Sequence, residues 1–501
     1  MKKMNQVMLS ALCLSVACLM TIACSDTDTA QTDITEPTDA VTEAVTEDTG
    51  DDRRNYPDNL PEADLGGYGY RVYVSTADTK YYMTEEATGE IIEDSIYNRN
   101  RAVEERYHVD LQIVDSGYDN VYTQTEGLQK QIMAGDDFAD LVEIHSVIGG
   151  NLSLTGYLFD LYELEYVDFT QPWWFPQTVA EMTFMNKMFM GCSTISYKAL
   201  STVTVGYVNL DLWNTYDLSE TYGTIYDLVA DNKWTLETMD AVTKAVYRDL
   251  NGDGKRDLDD EYGHVMQVGI EGYWTAFDAP ILQKHEDRLE VVANNDKVVA
   301  IVEKMYDHMY NNESTFIVPT MASNGSPTNL AEIFSHGAAL YVETSIAEAG
   351  GDYLRNAEFD YGILPQPKYD EAQNQYRCFA EGAYMAVPIT NTDLSRTGLI
   401  YEALNAEGYR QIIPAYEETA LKDKYLRDEE SGRMFDLVLE SYTASFAFNY
   451  DNWEGFAHLF GKIFGETKGN KDIVSYLEKN MKKAVKRADK VAQGFLDYGT
   501  N

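Results

Sequence analysis

The sequence predicts an α/β protein, on three observations. From residue 68 onward, helix-type and strand-type patterns alternate along the chain. One of the strand patterns, "DLVEIH", ends in polar residues where an open α/β sheet would place a ligand. No segment recurs at a fixed period, which removes solenoids and propellers.

Residues 1–60 precede that pattern. Lys2 and Lys3 lead into an apolar run ending at "TIAC", a secretory signal over residues 1–23. Small Ala23 before Cys24 follows a lipobox pattern, with Thr21 where Leu is preferred. Cleavage there and diacylation of the Cys24 thiol would anchor the chain, because two acyl chains at ~0.8 kcal/mol per buried CH₂ bind a bilayer stably. An ordinary cleaved signal, or lipidation at Cys18 after "SVA", is the alternative. No other apolar stretch approaches the length of a transmembrane helix. Residues 24–60 read as a disordered, self-repelling tether, since Thr, Asp and Glu dominate and large apolar residues are scarce.

The folded part follows element by element. "YGYRVYVS" (68–75) reads as an opening strand. "EDSIYNRNRAVEERYHVDLQIV" is a helix with Ile96, Asn100, Val103 and Tyr107 on one side, running into a strand. "EGLQKQIMAGDDFADLVEIH" repeats helix, turn and strand, and leaves the strand at His145 and Ser146. Helices are expected around Leu210–Tyr216, Thr224–Asp231 and Thr235–Arg248. In the last of these Thr235 is the N-cap, and Leu236, Met239, Val242 and Val246 share a face. "YGHVMQVGI" reads as a strand, and 297–311 as a helix carrying Val298, Ile301, Val302, Met305 and Tyr306. Strands return at 337–344, 359–370 and 382–388. From Thr392 helices dominate, ending in "KDIVSYLEKNMKKAVKRADKVAQGFL", whose basic run reads as a solvated face.

Between the helix from Thr235 and the next strand lies "DLNGDGKRDLDD". Oxygen donors fall at Asp249, Asn251, Asp253, Asp257 and Asp260, the spacing of an EF-hand-type loop. Gly254 takes the sharp turn, and Lys255 would offer its backbone carbonyl. Asp260 stands where a bidentate Glu is usual, with Glu261 next to it. The loop predicts a bound Ca²⁺; a solvated acidic turn is the alternative. It occurs once and is followed by a strand, so it reads as a structural clip and not a paired sensor.

The formal charge of −44 repels nucleic acid and anionic lipid, which excludes both as partners. Of the 5 cysteines, Cys13 and Cys18 leave with the signal and Cys24 is the lipid site. Cys192 and Cys378 remain, so this is no disulfide scaffold; whether the two pair stays open. There is no P-loop, HExxH, GxSxG or GxGxxG. A paired-carboxylate glycosidase stays open, because carboxylate separation is a three-dimensional quantity.

Several stretches occur in a telling order after the lipobox and the acidic tether: "YNRNRAVEERYHVDL", "PWW", "DLVADNKWTLETMDAVTKAVYRDLNGDGKRDLDDEYG", "HGAALYVET" and "DYGILPQPKYDEAQNQY". Together they make the chain similar to the family 1 extracellular solute-binding proteins of bacterial ABC importers, a largely carbohydrate-binding group. The resemblance implies a type II periplasmic-binding-protein-like fold, with two α/β lobes, a hinge and an interlobe cleft. It places 61–195 and roughly 335–385 in an N-terminal lobe, and 196–334 and roughly 386–501 in a C-terminal lobe holding the loop 249–260. It implies a monomer, held by its lipid on the outer face of the cytoplasmic membrane, that delivers a sugar-like solute to a permease and has no catalysis of its own. Ligand residues are then expected at strand ends and loops matching the family's cleft: His145, Ser146, Tyr273, Trp274, Asp278, Glu343, Thr344 and Glu381. Trp173 and Trp174 join them, with buttressing of the lobe as their other reading. Trp274 also reads as core, and Glu343 as an ordinary salt-bridge partner; Trp213, Trp234 and Trp453 read as structural. A calcium-stabilised glycoside hydrolase, a receptor for a peptide or other solute, and a surface adhesin are the competing functions; the unrepeated helix–strand pattern argues against the last.

Overall fold

The computed structural model describes residues 51–269, 272–319, 328–422, 429–452, 455–458, 463–464 and 472–499. The signal segment, the Cys24 site and Trp453 lie outside them. In chain order the strands are β1 (Tyr68–Val74), β2 (Val109–Asp115), β3 (Leu141–Ile144), β4 (Gly191–Cys192) and β5 (Thr204–Asn209). There follow β6 (Tyr247–Arg248), β7 (Glu261–Gln267), β8 (Leu282–Lys284), β9 (Leu289–Val291) and β10 (Thr315–Val318). The last are β11 (Ala339–Ser345), β12 (Tyr361–Leu364), β13 (Cys378–Phe379), β14 (Tyr384–Ala386) and β15 (Tyr442–Thr443).

Two sheets organise the lobes. The first runs β2-β1-β3-β14-β4, and the second β10-β7-β11-β5-β12, with β6 paired to β7 beside that path. β1 is parallel to β2 and β3, while β14 is antiparallel to β3 and β4. β7 is parallel to β10 and β11, while β5 is antiparallel to β11 and β12. Central strands covered on both faces read as unbroken apolar runs. β3 is buried at every position, and its charged member, Glu143, is fully buried too.

The helix Ile91–Tyr107 buries Ile96, Arg99, Asn100, Val103 and Tyr107 against the first lobe and stops at His108, whose left-handed backbone (φ 52°) returns its N–H to the Glu104 carbonyl. Thr235 caps the helix Leu236–Lys244, its hydroxyl accepting from the Thr238 amide at 3.3 Å. That helix is shorter than the sequence pattern suggests, because 247–248 leave it to form β6.

The sheets divide the chain differently from the expected lobe boundaries. β11 and β12 were expected in the N-terminal lobe but pair with β7 and β5 of the second sheet; only β14 returns to the first. Beyond residue 386 the expected single lobe also fails, since the helix Leu394–Glu407 packs on the helix Ile91–Tyr107 of the first lobe. Strand partners are chosen by edge register across hundreds of residues, which chain order does not reveal.

Among the described residues, 193–203, 365–383 and 441–445 run between the lobes and are tied together, and the helix Ile473–Asp497 also packs on both cores. Val203 bridges to Ala380, and β13 pairs with β15, with Cys378 N to Ser441 O at 2.7 Å and Ala380 N to Thr443 O at 3.0 Å. Cys192 and Cys378 are both buried free thiols, so they do not pair; Cys192 Sγ lies 3.0 Å from the Tyr442 hydroxyl.

The segment expected as tether packs on the first lobe before residue 60. Asp58 accepts from Arg106 at 2.7 Å and Arg410 at 2.8 Å, and Tyr56 sets its ring edge-on to Trp173. The C-terminal helix Ile473–Asp497 departs from a wholly solvated basic face at one residue: Arg487 is buried and donates to the Tyr450 carbonyl at 2.7 Å.

Candidate functional site

Parallel β7 and β11 end on the same side of the second sheet, and β3 ends on the matching side of the first. Open α/β sheets bind ligands at such carboxyl edges. A cleft of about 870 Å³ lies there, lined from the second lobe by His264, Met266, Gln267, Tyr273, Glu343 and Gln366, and from the first lobe and the crossings by Tyr81, Lys198, Phe379, Glu381, Phe448 and His458. That volume suits a small-molecule ligand, for which roughly 300–1,000 Å³ is usual.

Glu343 is the centre of the second-lobe wall. Its Oε1 accepts from the hydroxyls of Tyr273 at 2.7 Å and Tyr341 at 2.8 Å, and its Oε2 from the Gln366 amide at 3.0 Å. Burial raises its pKa against the pull of these three donors. Gln366 is itself fixed, because its Oε1 accepts from the Phe379 backbone amide of β13 at 2.9 Å. The carboxylate is therefore wired to a crossing strand.

On the opposite wall, Lys198 Nζ sits 2.7 Å from Glu143 and 2.8 Å from Asp78. Burial works against its charge, yet the two carboxylates raise its pKa. Burial also pushes Glu143 up to about 7, opposed by Lys198. One lysine between two acidic groups leaves no surplus positive charge on this wall.

A third element is a line of groups through the second lobe. Asp240 Oδ1 lies 2.9 Å from His308 Nδ1, and His308 Nε2 lies 2.8 Å from His264 Nδ1. Burial, then the neighbouring His308, holds His264 well below the usual imidazole range, so its ring is neutral. In the tautomer where a neutral His308 donates to Asp240 and accepts from His264 Nδ1–H, His264 Nε2 is left as an acceptor. That buried atom has no partner among the described residues. Among the described residues no nucleophile is hydrogen-bonded to it, and the arrangement presents a ring nitrogen able to hydrogen-bond a ligand.

The structure brings Tyr273, Glu343, Thr344 and Glu381 together on the cleft walls. It does not place the other expected residues there. His145 caps the helix Ser146–Ser153, Nδ1 accepting from Ile148 N at 3.4 Å, with its ring against Tyr122; Ser146 is buried behind it. Burial, and secondarily Lys198, lowers His145 to about 4. Trp274 belongs to the second-lobe core. Asp278 is exposed and paired with Arg377 at 2.7 Å. Trp173 and Trp174 are fully buried, both indole N–H groups donating to Glu402 at 2.9 Å, so they buttress the first lobe. Trp234 is core as well, donating to the Pro365 carbonyl at 3.2 Å.

Sequence reasoning passed over His264, Gln267, Gln366 and Lys198. The carboxyl-edge argument applied to β7 and β12, as it was to β3, points at Gln267 and Gln366. Lys198 sits in a crossing with no motif to mark it.

No protein-family model matches this sequence, and no curated protein sequence is similar to it. Solved structures are similar in fold. The sugar-binding protein MalE from Xanthomonas citri aligns with TM-score 0.55 at 13% identity, over 85% of this chain and 98% of that one. A sugar transporter from Rhizobium etli, in an open conformation, aligns with TM-score 0.52 at 13% identity, over 85% and 99%. UgpB from Mycobacterium tuberculosis, in complex with glycerophosphocholine, aligns with TM-score 0.51 at 14% identity, over 85% and 99%. At such identities the likeness establishes the fold, the two-lobed periplasmic-binding-protein fold.

Proposed function

We propose that this chain is a solute receptor of an ABC importer, closing its lobes on a neutral, hydroxyl-rich solute of the oligosaccharide class and passing it to a membrane permease. The observation that carries the reading is the cleft itself, with hydrogen-bonding groups (Glu343, Gln267, His264) and aromatic faces (Tyr81, Phe379, Phe448) on its two walls. Aromatic faces cover the C–H patches of a sugar ring, and fixed polar groups select its hydroxyls. Among similarly folded proteins two are named for sugars and one holds a glycerophosphodiester. Charge favours the first kind. The cleft's lysine is neutralised by Glu143 and Asp78, whereas a phosphate needs surplus positive charge.

In this reading the chain is exported and anchored through Cys24 outside the cytoplasmic membrane, acts as a monomer, and catalyses nothing. Among the described residues no helix is long and apolar enough to cross a membrane.

A thermal-shift screen of neutral oligosaccharides, glycerophosphodiesters and short peptides, with product analysis of each mixture, tests the proposal. A receptor gains RT ln(1 + [L]/Kd), or ~2.7 kcal/mol at a hundredfold excess over Kd, and returns the sugar intact. Released monosaccharide would make it a hydrolase; stabilisation by peptides or phosphodiesters alone would overturn the solute class.

A further inference from the structure

We infer that the loop 249–260 holds one Ca²⁺ ion, ligated at its end by Asp260, and that this ion secures the base of the strand that enters the cleft. The inference is independent of the solute. β6 pairs antiparallel with β7, Tyr247 opposite Tyr262 and Arg248 opposite Glu261, so the loop is the connection of a β-hairpin.

The observation that asks for a cation is Asp260. It is 0% exposed, and its Oδ1 has no hydrogen-bond partner. Its Oδ2 turns back on the loop, with only long approaches from Asp257 N at 3.4 Å and the Tyr262 hydroxyl at 3.3 Å. A buried carboxylate left so poorly solvated costs several kcal/mol unless a positive charge joins it. No basic side chain does so among the described residues. Arg256, in the same loop, donates to the carbonyls of Glu313 and Thr315. Arg248 pairs with Glu261 at 3.1 Å. That pairing, with the Tyr216 hydroxyl on the other oxygen, also commits Glu261 and leaves Asp260 as the available ligand.

The other donors stand on the same loop. Asp249, Asn251, Asp253 and Asp257 accept from the amides of Gly252 and Gly254, Asp253, Lys255 and Asp259 respectively, around the left-handed glycines 252 and 254. As they stand, no three acidic or histidine groups among the described residues converge at ligating distance. The ion must therefore draw the carboxylates inward, and Lys255 must release Asp253, with which it pairs at 2.6 Å. Hard oxygens in this number and spacing select Ca²⁺ over Mg²⁺, which holds its waters. β7 continues from Asp260 to His264, Met266 and Gln267 on the cleft wall, so the ion fixes the root of those side chains.

The test uses the full chain, stripped with chelator and titrated with CaCl₂ in a calorimeter, alongside thermal melts in Ca²⁺, Mg²⁺ and EDTA. One site with dissociation constant between ~10⁻⁶ and ~10⁻³ M is expected, spanning sensor to extracellular loops. The melting temperature should rise by several degrees in Ca²⁺, and by much less in equal Mg²⁺. Asp260→Asn should lose at least tenfold in affinity. If that variant does not fold, Asp253→Ser, at an exposed turn, should show the same loss. Absence of binding heat and of any melting shift in the parent overturns the inference, as does undiminished Ca²⁺ affinity in Asp253→Ser or in a folded Asp260→Asn.

Discussion

Replacing Glu343 should cost stability in an order that the hydrogen bonds dictate. In Glu343→Ala three donors lose their acceptor: the hydroxyls of Tyr273 and Tyr341, residues each 1% exposed, and the Gln366 amide. A hydrogen bond to a charged acceptor contributes ~1.5–3 kcal/mol. Water entering from the cleft replaces part of that, and removing a buried carboxylate relieves its desolvation, which here raises its pKa. The net loss comes to ~2–4 kcal/mol. Glu343→Gln should cost less, ~1–2 kcal/mol, for a definite reason. Both tyrosines donate to the same oxygen, which the amide oxygen can replace. The new NH₂ then meets the NH₂ of Gln366, and Gln366 cannot turn over because its own oxygen holds Phe379 N. Urea unfolding of the three proteins, with the slope checked for constancy, measures these differences. An alanine variant within about 0.5 kcal/mol of the parent, or a glutamine variant worse than alanine, would refute the reasoning.

Three further outcomes are expected. Trp274→Ala should lose ~3–5 kcal/mol of stability as a core truncation, while the solute affinity of the folded fraction, read by calorimetry, stays within threefold, since Trp274 lies off the cleft walls. Burial pushes Glu402 up to about 8 from an ordinary value of 4.5. Between those values the unfolded chain has released a proton that the native chain keeps, so stability falls as pH rises, at up to ~1.4 kcal/mol per pH unit. Glu402→Gln should flatten that slope in urea unfolding at pH 5.5 and pH 8.5. Lys284 donates to the carbonyls of Ala180 at 3.1 Å and Thr183 at 3.2 Å, closing the end of the helix Pro176–Met182 from the β8–β9 hairpin. Lys284→Met should lose ~1–2 kcal/mol in denaturant unfolding.

Much of the architecture was legible because local signals agreed. The buried run of β3, the side of the helix Ile91–Tyr107 and the cap at Thr235 are all properties of neighbouring residues. The lobe assignment of β11 and β12 was not, since "ALYVETS" would suit either sheet and only pairing decides. The same gap separates the expected site residues. Glu343 follows from its place at a strand's carboxyl end. Trp173 and Trp174 mislead because an indole is as good a core filler as a stacking face, and Glu402, which takes both N–H groups, is over two hundred residues away in the chain. His264 is invisible as an acceptor without His308 and Asp240 behind it.

The three cords at 193–203, 365–383 and 441–445 are laced edge to edge by backbone hydrogen bonds. A laced ribbon bends easily across its flat face but resists shear in its plane, where each slipped rung would strand a peptide group. The helix Ile473–Asp497 adds a further tie, with Ile473 and Leu477 in the second-lobe core and Val491 and Phe495 in the first. Connections joined in this way leave the two lobes fewer independent movements than separate linkers of the same length would, so a change in any one of them is felt by the others.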